Sequence, residues 1–287
     1  MHRQRTIKEI FQARPTREGA GVHLHRVFGF SEDPALFDPF LLLDDFRSDH
    51  PDRYSKGFPW HPHRGIETIT YMLRGTVEHG DSMGNRGTIT AGDVQWMTAG
   101  SGIIHQEMPA GDAEGAMHGF QLWANLPASH KMMAPRYRDV RNADIPVITG
   151  EDGTVVRIIA GTFDGTEGPV RDIVIDPRYF DITVPPESAC RLDTARGHTV
   201  FCYIIEGTGY CGDGGTPAGN RTLVLFDDGD TCTVTAGADG VRFLFVSGKP
   251  LGEPVAWRGP IVMNTEEELQ RAFEEYREGT FIKDSAP

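Results

Sequence analysis

Hydrophobic positions along this chain come in short bursts, not in long stripes. Runs rich in β-branched and aromatic residues occupy 68–73, 88–91, 94–98, 199–205, 222–226, 231–235 and 241–246, with glycine- and proline-bearing breaks between them. Strands this short, at this spacing, predict an all-β protein of sandwiches or barrels. Helical periodicity comes only near the end. Leu269, Ala272, Phe273 and Tyr276 share one helical face. Asn264 and Thr265 stand before them as capping residues, Glu266, Glu267 and Glu268 supply first-turn acids, and Gly279 marks the stop. The prediction is therefore all-β with a short C-terminal α-helix.

The pattern also repeats. Tyr71-Met72-Leu73-Arg74-Gly75-Thr76 matches Tyr203-Ile204-Ile205-Glu206-Gly207-Thr208 at an offset of 132. Gly92-Asp93 and Thr98-Ala99-Gly100 return as Gly229-Asp230 and Thr235-Ala236-Gly237 at an offset of 137. Two matched stretches in the same order predict two related β-domains. The expected boundary follows the polar, methionine-rich stretch 129–133, near Pro135, and divides the chain into 1–135 and 136–287.

Composition narrows the function classes. Hydrophobic residues make up 39% and charged residues 24%, as in soluble globular proteins. No run approaches the ~18 apolar residues of a membrane span. The N-terminus MHRQRTIKEIF lacks the apolar stretch of a secretory signal, so a cytoplasmic location is expected. Lys and Arg number 28 against 41 Asp and Glu, a net charge of −13 without a basic tract. Such a chain is poorly suited to bind nucleic acid directly or to lie on anionic membranes. The four cysteines, Cys190, Cys202, Cys211 and Cys232, contain no CxxC and read as buried small hydrophobes.

Candidate chemistry sits in the first half. His61 and His63 flank Pro62, and residues two apart on a strand project to one side. His105 and Glu107 have the same spacing. If the two strands are neighbours, three imidazoles and one carboxylate converge. That nitrogen- and oxygen-rich set suits one divalent first-row metal, Fe(II) first, with Ni, Cu, Mn or Zn as alternatives. Four protein ligands leave two open positions on an octahedral ion, unlike a closed structural zinc. His23 and His25 share the HxH spacing but alternate with aliphatic residues, which reads as a half-exposed strand.

His61-Pro62-His63-Arg64-Gly65-Ile66-Glu67-Thr68, with 92–100 and Gly102-Ile103-Ile104-His105-Gln106-Glu107-Met108-Pro109, resembles the pirin family of the cupin superfamily. The likeness extends upstream through 37–44 and downstream through 259–265 to the terminal helix, essentially the whole chain. It implies a bicupin of two antiparallel β-barrels with metal only in the first, held by His61, His63, His105 and Glu107. Shifted by the repeat offsets, those positions land on Asp193, Ala195, Arg242 and Leu244, so the second copy lacks the set. Cupins outside this family often use the Glu that follows HxH, here Glu67. The pirin pattern leaves Glu67 beside the ligands, orienting an imidazole.

The resemblance further implies an oxygen-dependent dioxygenase similar to quercetin 2,3-dioxygenase, taking a small aromatic enol or flavonol-like substrate and dioxygen. On chemical grounds Glu107 is also the candidate catalytic base, by loosening from the metal. Phe58, Trp60, Met72, Met97, Phe120 and Trp123 are candidates for an aromatic-binding pocket, against a plain core role. The alternative is a non-enzymatic, metal-dependent redox sensor or transcription co-regulator acting through protein partners, which the acidic charge would suit. A cupin isomerase would need cations near the ligands, for which only Arg64 and Arg74 offer themselves. A monomer is expected.

Overall fold

The computed structural model describes residues 3–212 and 215–283. It divides the chain into two compact units, and these are not the contiguous halves expected on either side of Pro135. One comprises Arg14–Leu36, Phe40–Asn142 and Leu251–Pro287; the other comprises Met1–Ala13, Phe37–Pro39 and Ala143–Pro250. Each terminus belongs to the unit formed mainly by the other half. The reason is local. Strand Ile7–Gln12 hydrogen-bonds antiparallel to Thr222–Phe226. The terminal helix buries Leu269 and Ala272 against Ile261, Met263 and Phe281, with Ile104 packed on them.

The unit that holds the histidines is an antiparallel two-sheet sandwich. Its larger sheet runs Arg136–Val140, Val94–Thr98, Ile66–Arg74, Met117–Asn125, Phe40–Ser48, Val22–Phe28, Arg14–Glu18. Its smaller sheet runs Phe58–His63, Ile103–Ala110, Thr76–Asp81, Arg86–Ile89. Period-two alternation turns Val22, Leu24, Phe46, Met72 and Met117 from the first sheet and Val77 and Ile89 from the second into one buried core. This two-sheet arrangement is consistent with the jelly roll expected of a cupin. Its hydrogen bonding leaves two sheets where a closed barrel would have one.

The second unit forms around two long strands, Thr199–Cys211 and Thr231–Gly248. The second of these fuses the separate runs expected at 231–235 and 241–246. Register shifts at Ile204/Glu206 and Gly207/Gly209 let the pair bend without breaking. All four cysteines are buried inside this unit's apolar core, as expected. The helix, Glu266–Glu278, also follows its sequence signals. Thr265 Oγ1 accepts from the Glu268 amide, Glu268 returns the bond to the cap, and Gly279 closes the helix at φ 74°.

Candidate metal centre

Strands Phe58–His63 and Ile103–Ala110 are neighbours, with His105 directly opposite His61 and Ile103 opposite His63. A residue's side is fixed by the pleat, so His61, His63 and His105 turn to one face. Their Nε2 atoms meet: His61 to His63 is 3.0 Å and His61 to His105 is 2.9 Å. Three ring nitrogens, all within 4.8 Å of one another, form a group able to hold a metal. The spacing is informative. Ligands at right angles, each about 2.1 Å from one ion, stand about 3.0 Å apart, whereas tetrahedral ligands stand about 3.4 Å apart. Both separations from His61 therefore match right-angle ligands about one ion, while the whole trio stays within 4.8 Å.

The opposite nitrogen of each ring is spoken for. His61 Nδ1 lies 2.8 Å from Pro59 O, and His63 Nδ1 lies 3.2 Å from Pro260 O. Nδ1–H donates to a carbonyl in both, which fixes the tautomer that leaves Nε2 as a lone pair. Burial holds His63 and His105 well below the usual imidazole range, reinforced by the neighbouring histidines. Both are thus neutral at pH 7, the state metal binding requires.

Glu107 lies on the same inward face as His105, two residues on, but a register shift between them displaces its strand partner to Phe58. Its Oε1 accepts from Thr70 Oγ1 at 3.1 Å. The carboxylate lines the same cavity as His61 and His63 and stands outside the tight group of three nitrogens. Glu67 is elsewhere. Its carboxylate accepts from Thr98 Oγ1 at 2.5 Å, with Arg136 3.9 Å away. The expectation that Glu67 orients an imidazole is corrected: it turns toward strand Val94–Thr98, with which Ile66–Arg74 pairs.

His61 and His63 form part of the wall of a cavity of about 380 Å³. Of the six aromatic-pocket candidates, Phe58 and Trp123 line it. Met72, Met97 and Phe120 are fully buried core, and Trp60 is 51% exposed on the outer side. The other walls come from Leu24 and Arg26 of one strand and Leu42, Asp44 and Phe46 of the next. Their i, i+2 alternation was the signal that could have placed them together. Burial lifts Asp44 to about 6 against the bidentate pull of Arg26. Gly259 and Pro260 complete the wall from the far end of the chain, a contribution no local pattern announces.

Two buried cations fasten that C-terminal arm beside the ligands. Arg64 donates to Glu275 Oε2 and Phe281 O, both at 2.7 Å. Lys131 Nζ donates to Gly65 O at 3.0 Å, Asn125 Oδ1 at 2.7 Å and Val262 O at 3.1 Å. Arg74 is paired with Asp112 and Glu114. Neither arginine considered for an isomerase is offered to a substrate at the histidines. His23 and His25 lie half-buried between buried Val22 and Leu24, as expected, outside the metal-binding group.

Comparison with known proteins places this geometry. The Pirin family pattern matches residues 21–124, and that of the Pirin C-terminal cupin domain matches residues 179–282. A Pseudomonas aeruginosa protein, provisionally named a quercetin 2,3-dioxygenase, is 44% identical over 286 residues, 97% of this chain and 99% of that protein. A crystal structure of quercetin 2,3-dioxygenase from Acinetobacter baumannii superposes with a TM-score of 0.89 at 31% identity, covering 97% of this chain and 98% of that one. A bacterial pirin from Escherichia coli, solved with nickel(II), shares the fold at TM-score 0.65 and 23% identity, over 84% of this chain and 98% of its own.

Proposed function

The chain belongs to the pirin family, and on that premise we propose that it is a metal-dependent dioxygenase that cleaves a flavonol-like aromatic enol with dioxygen. The observation that carries this reading is the cluster of three Nε2 atoms, 2.9 and 3.0 Å apart, two of whose histidines, His61 and His63, line a largely apolar cavity. His61, His63 and His105 would hold the metal, with Glu107 as the fourth ligand at hand in the same cavity. Fe(II) is the proposed ion, and nickel(II) is the first alternative because the E. coli pirin carries it. When bound, the ion would supply Lewis-acid activation of the substrate's hydroxyl and adjacent ketone.

The chain's own residues do the rest. Neutral His63 and His105 keep their lone pairs available at physiological pH. Phe58, Phe46 and Trp123 present flat or apolar faces to an aromatic ring and exclude water from it. Glu107, whose Oε1 accepts from Thr70, would accept the substrate's hydroxyl proton on loosening from the metal. Thr70 Oγ1 also lies 3.1 Å from Gln121 Oε1, a second acceptor for its single hydroxyl proton.

The test is direct. Metal-free protein is loaded in turn with Fe(II), Ni(II), Cu(II), Mn(II) and Zn(II), and oxygen uptake is followed with quercetin while carbon monoxide is measured. One metal per chain with matched oxygen loss and carbon monoxide release supports the proposal. Stoichiometric metal without uptake, on flavonols and simpler enediols alike, would reject it in favour of a metal-dependent interaction protein.

A further inference from the structure

His61 and His63 each rest Nδ1 on a backbone carbonyl, but His105 does not. Its Nδ1 faces a third buried ring, His79 Nδ1, at 3.5 Å, with ring centroids 5.3 Å apart. His79 Nε2 in turn lies 3.3 Å from Asp81 Oδ2. Strand Thr76–Asp81 turns Val77, His79 and Asp81 inward by simple alternation, and its register sets Asp81 opposite His105 and His79 opposite Glu107. Neither side chain reaches solvent.

The chain is held from both ends. Tyr137 stacks on His79 at 4.7 Å and 33°. Asp81 is locked by the Asn85 side chain at 2.8 Å and by the amides of Met83 and Asn85 at 2.9 and 3.0 Å. Proton placement then follows from geometry. With Nε2 of His105 turned to the other imidazoles, its proton must sit on Nδ1 and point at His79 Nδ1. That nitrogen accepts only if His79 carries its own proton on Nε2, which points at the Asp81 carboxylate.

We propose that Asp81 and His79 are positioning residues that make His105 the strongest donor of the three, and so set the affinity and oxidation-state preference of the bound metal. The inference rests on the metal-site reading above. A carboxylate at the end of a hydrogen-bonded imidazole chain shares negative charge with the distal nitrogen, which favours the more highly charged ion. The carbonyl-backed rings of His61 and His63 have no such charge behind them. Among the described residues, the sequence held this hint in His79 and Asp81, another i, i+2 pair, two strands from the first histidines.

Three variants test it: Asp81→Asn, His79→Phe and His79→Gln. Each is compared with the wild type for Ni(II) affinity by chelator competition and for the Fe(III)/Fe(II) midpoint potential, with circular dichroism confirming the fold. Asp81→Asn and His79→Phe are expected to weaken Ni(II) binding about tenfold or more and to move the potential positive. His79→Gln can accept from His105 and donate to Asp81, and should recover most of the affinity. Phe preserves the stacking on Tyr137, so a purely structural role would leave His79→Phe close to wild type and would give Gln no advantage. Unchanged affinity and potential in all three, with the wild type binding one metal, would overturn this inference alone. A wild type that binds no metal would overturn the site reading itself.

Discussion

Lys131→Met isolates the interaction that couples the C-terminal arm to the histidine strand. Lys131 is 1% exposed, and its ammonium meets three acceptors, Gly65 O, Asn125 Oδ1 and Val262 O. Gly65 follows the ligand strand by two residues, and Val262 sits two residues beyond Pro260, whose carbonyl holds His63. Methionine fills the volume and removes every donor. At alkaline pH the neutral amine donates two hydrogen bonds, so methionine leaves two further acceptors bare at about 1 kcal/mol or more each, a predicted loss of about 2 kcal/mol. The loss should shrink as pH falls. Burial lowers Lys131 from 10.5 to about 7. Above 10.5 both folded and unfolded chains carry the free amine. Between 10.5 and 7 the unfolded chain binds the proton and the folded one does not, so wild-type stability declines as pH falls through this window, by about 1.4 kcal/mol per unit. Below 7 both are protonated and the decline stops. The gap between wild type and variant at pH 9 should therefore exceed that at pH 7 by roughly 2 to 3 kcal/mol. Urea unfolding read by tryptophan fluorescence suits the measurement, because Trp60, Trp96, Trp123 and Trp257 all lie in the unit that contains Lys131. Other titrations cancel in the difference. A gap that stays flat from pH 9 to 7 would refute the reasoning and show that three hydrogen bonds keep the ammonium charged throughout.

Other substitutions probe separate links. Pairing His61→Ala with His105→Ala should abolish stoichiometric metal binding and leave far-ultraviolet dichroism intact; retained metal would reject the site. Glu67→Gln should keep metal affinity within about tenfold of wild type, the lower end for outer groups, because its carboxylate serves Thr98; complete loss on metal analysis would restore it as a ligand. Gly65→Ala puts a methyl 1.9 Å from Val262 O at φ 77°, so it should cost about 3 kcal/mol or more and loosen the arm, as thermal melting would read. Burial pushes the Cys190 and Cys211 thiols up to about 12. A disulfide reagent at pH 8 should therefore find none of the four buried cysteines in native protein and all four after unfolding; rapid native labelling would contradict the packing.

Much of this protein was legible along the chain, because it depends on neighbours in sequence. Alternation produces strands, so the β class and the inward turn of His61, His63 and His105 follow from spacing alone. The Thr265 capping box and Gly279 bound the helix by local hydrogen bonding. What depended on distant segments was not legible. Period two says which face a residue takes but not which strand lies opposite, so the link from His105 through His79 to Asp81 waited for register. Glu67 has the spacing of an imidazole partner, yet the strand paired beside it supplied Thr98 instead. The repeat marked two domains but not their exchange of termini. That exchange is decided by which sheet edge accepts Ile7–Gln12 and by which apolar surface covers Leu269, and both are free-energy minima of the folded chain as a whole.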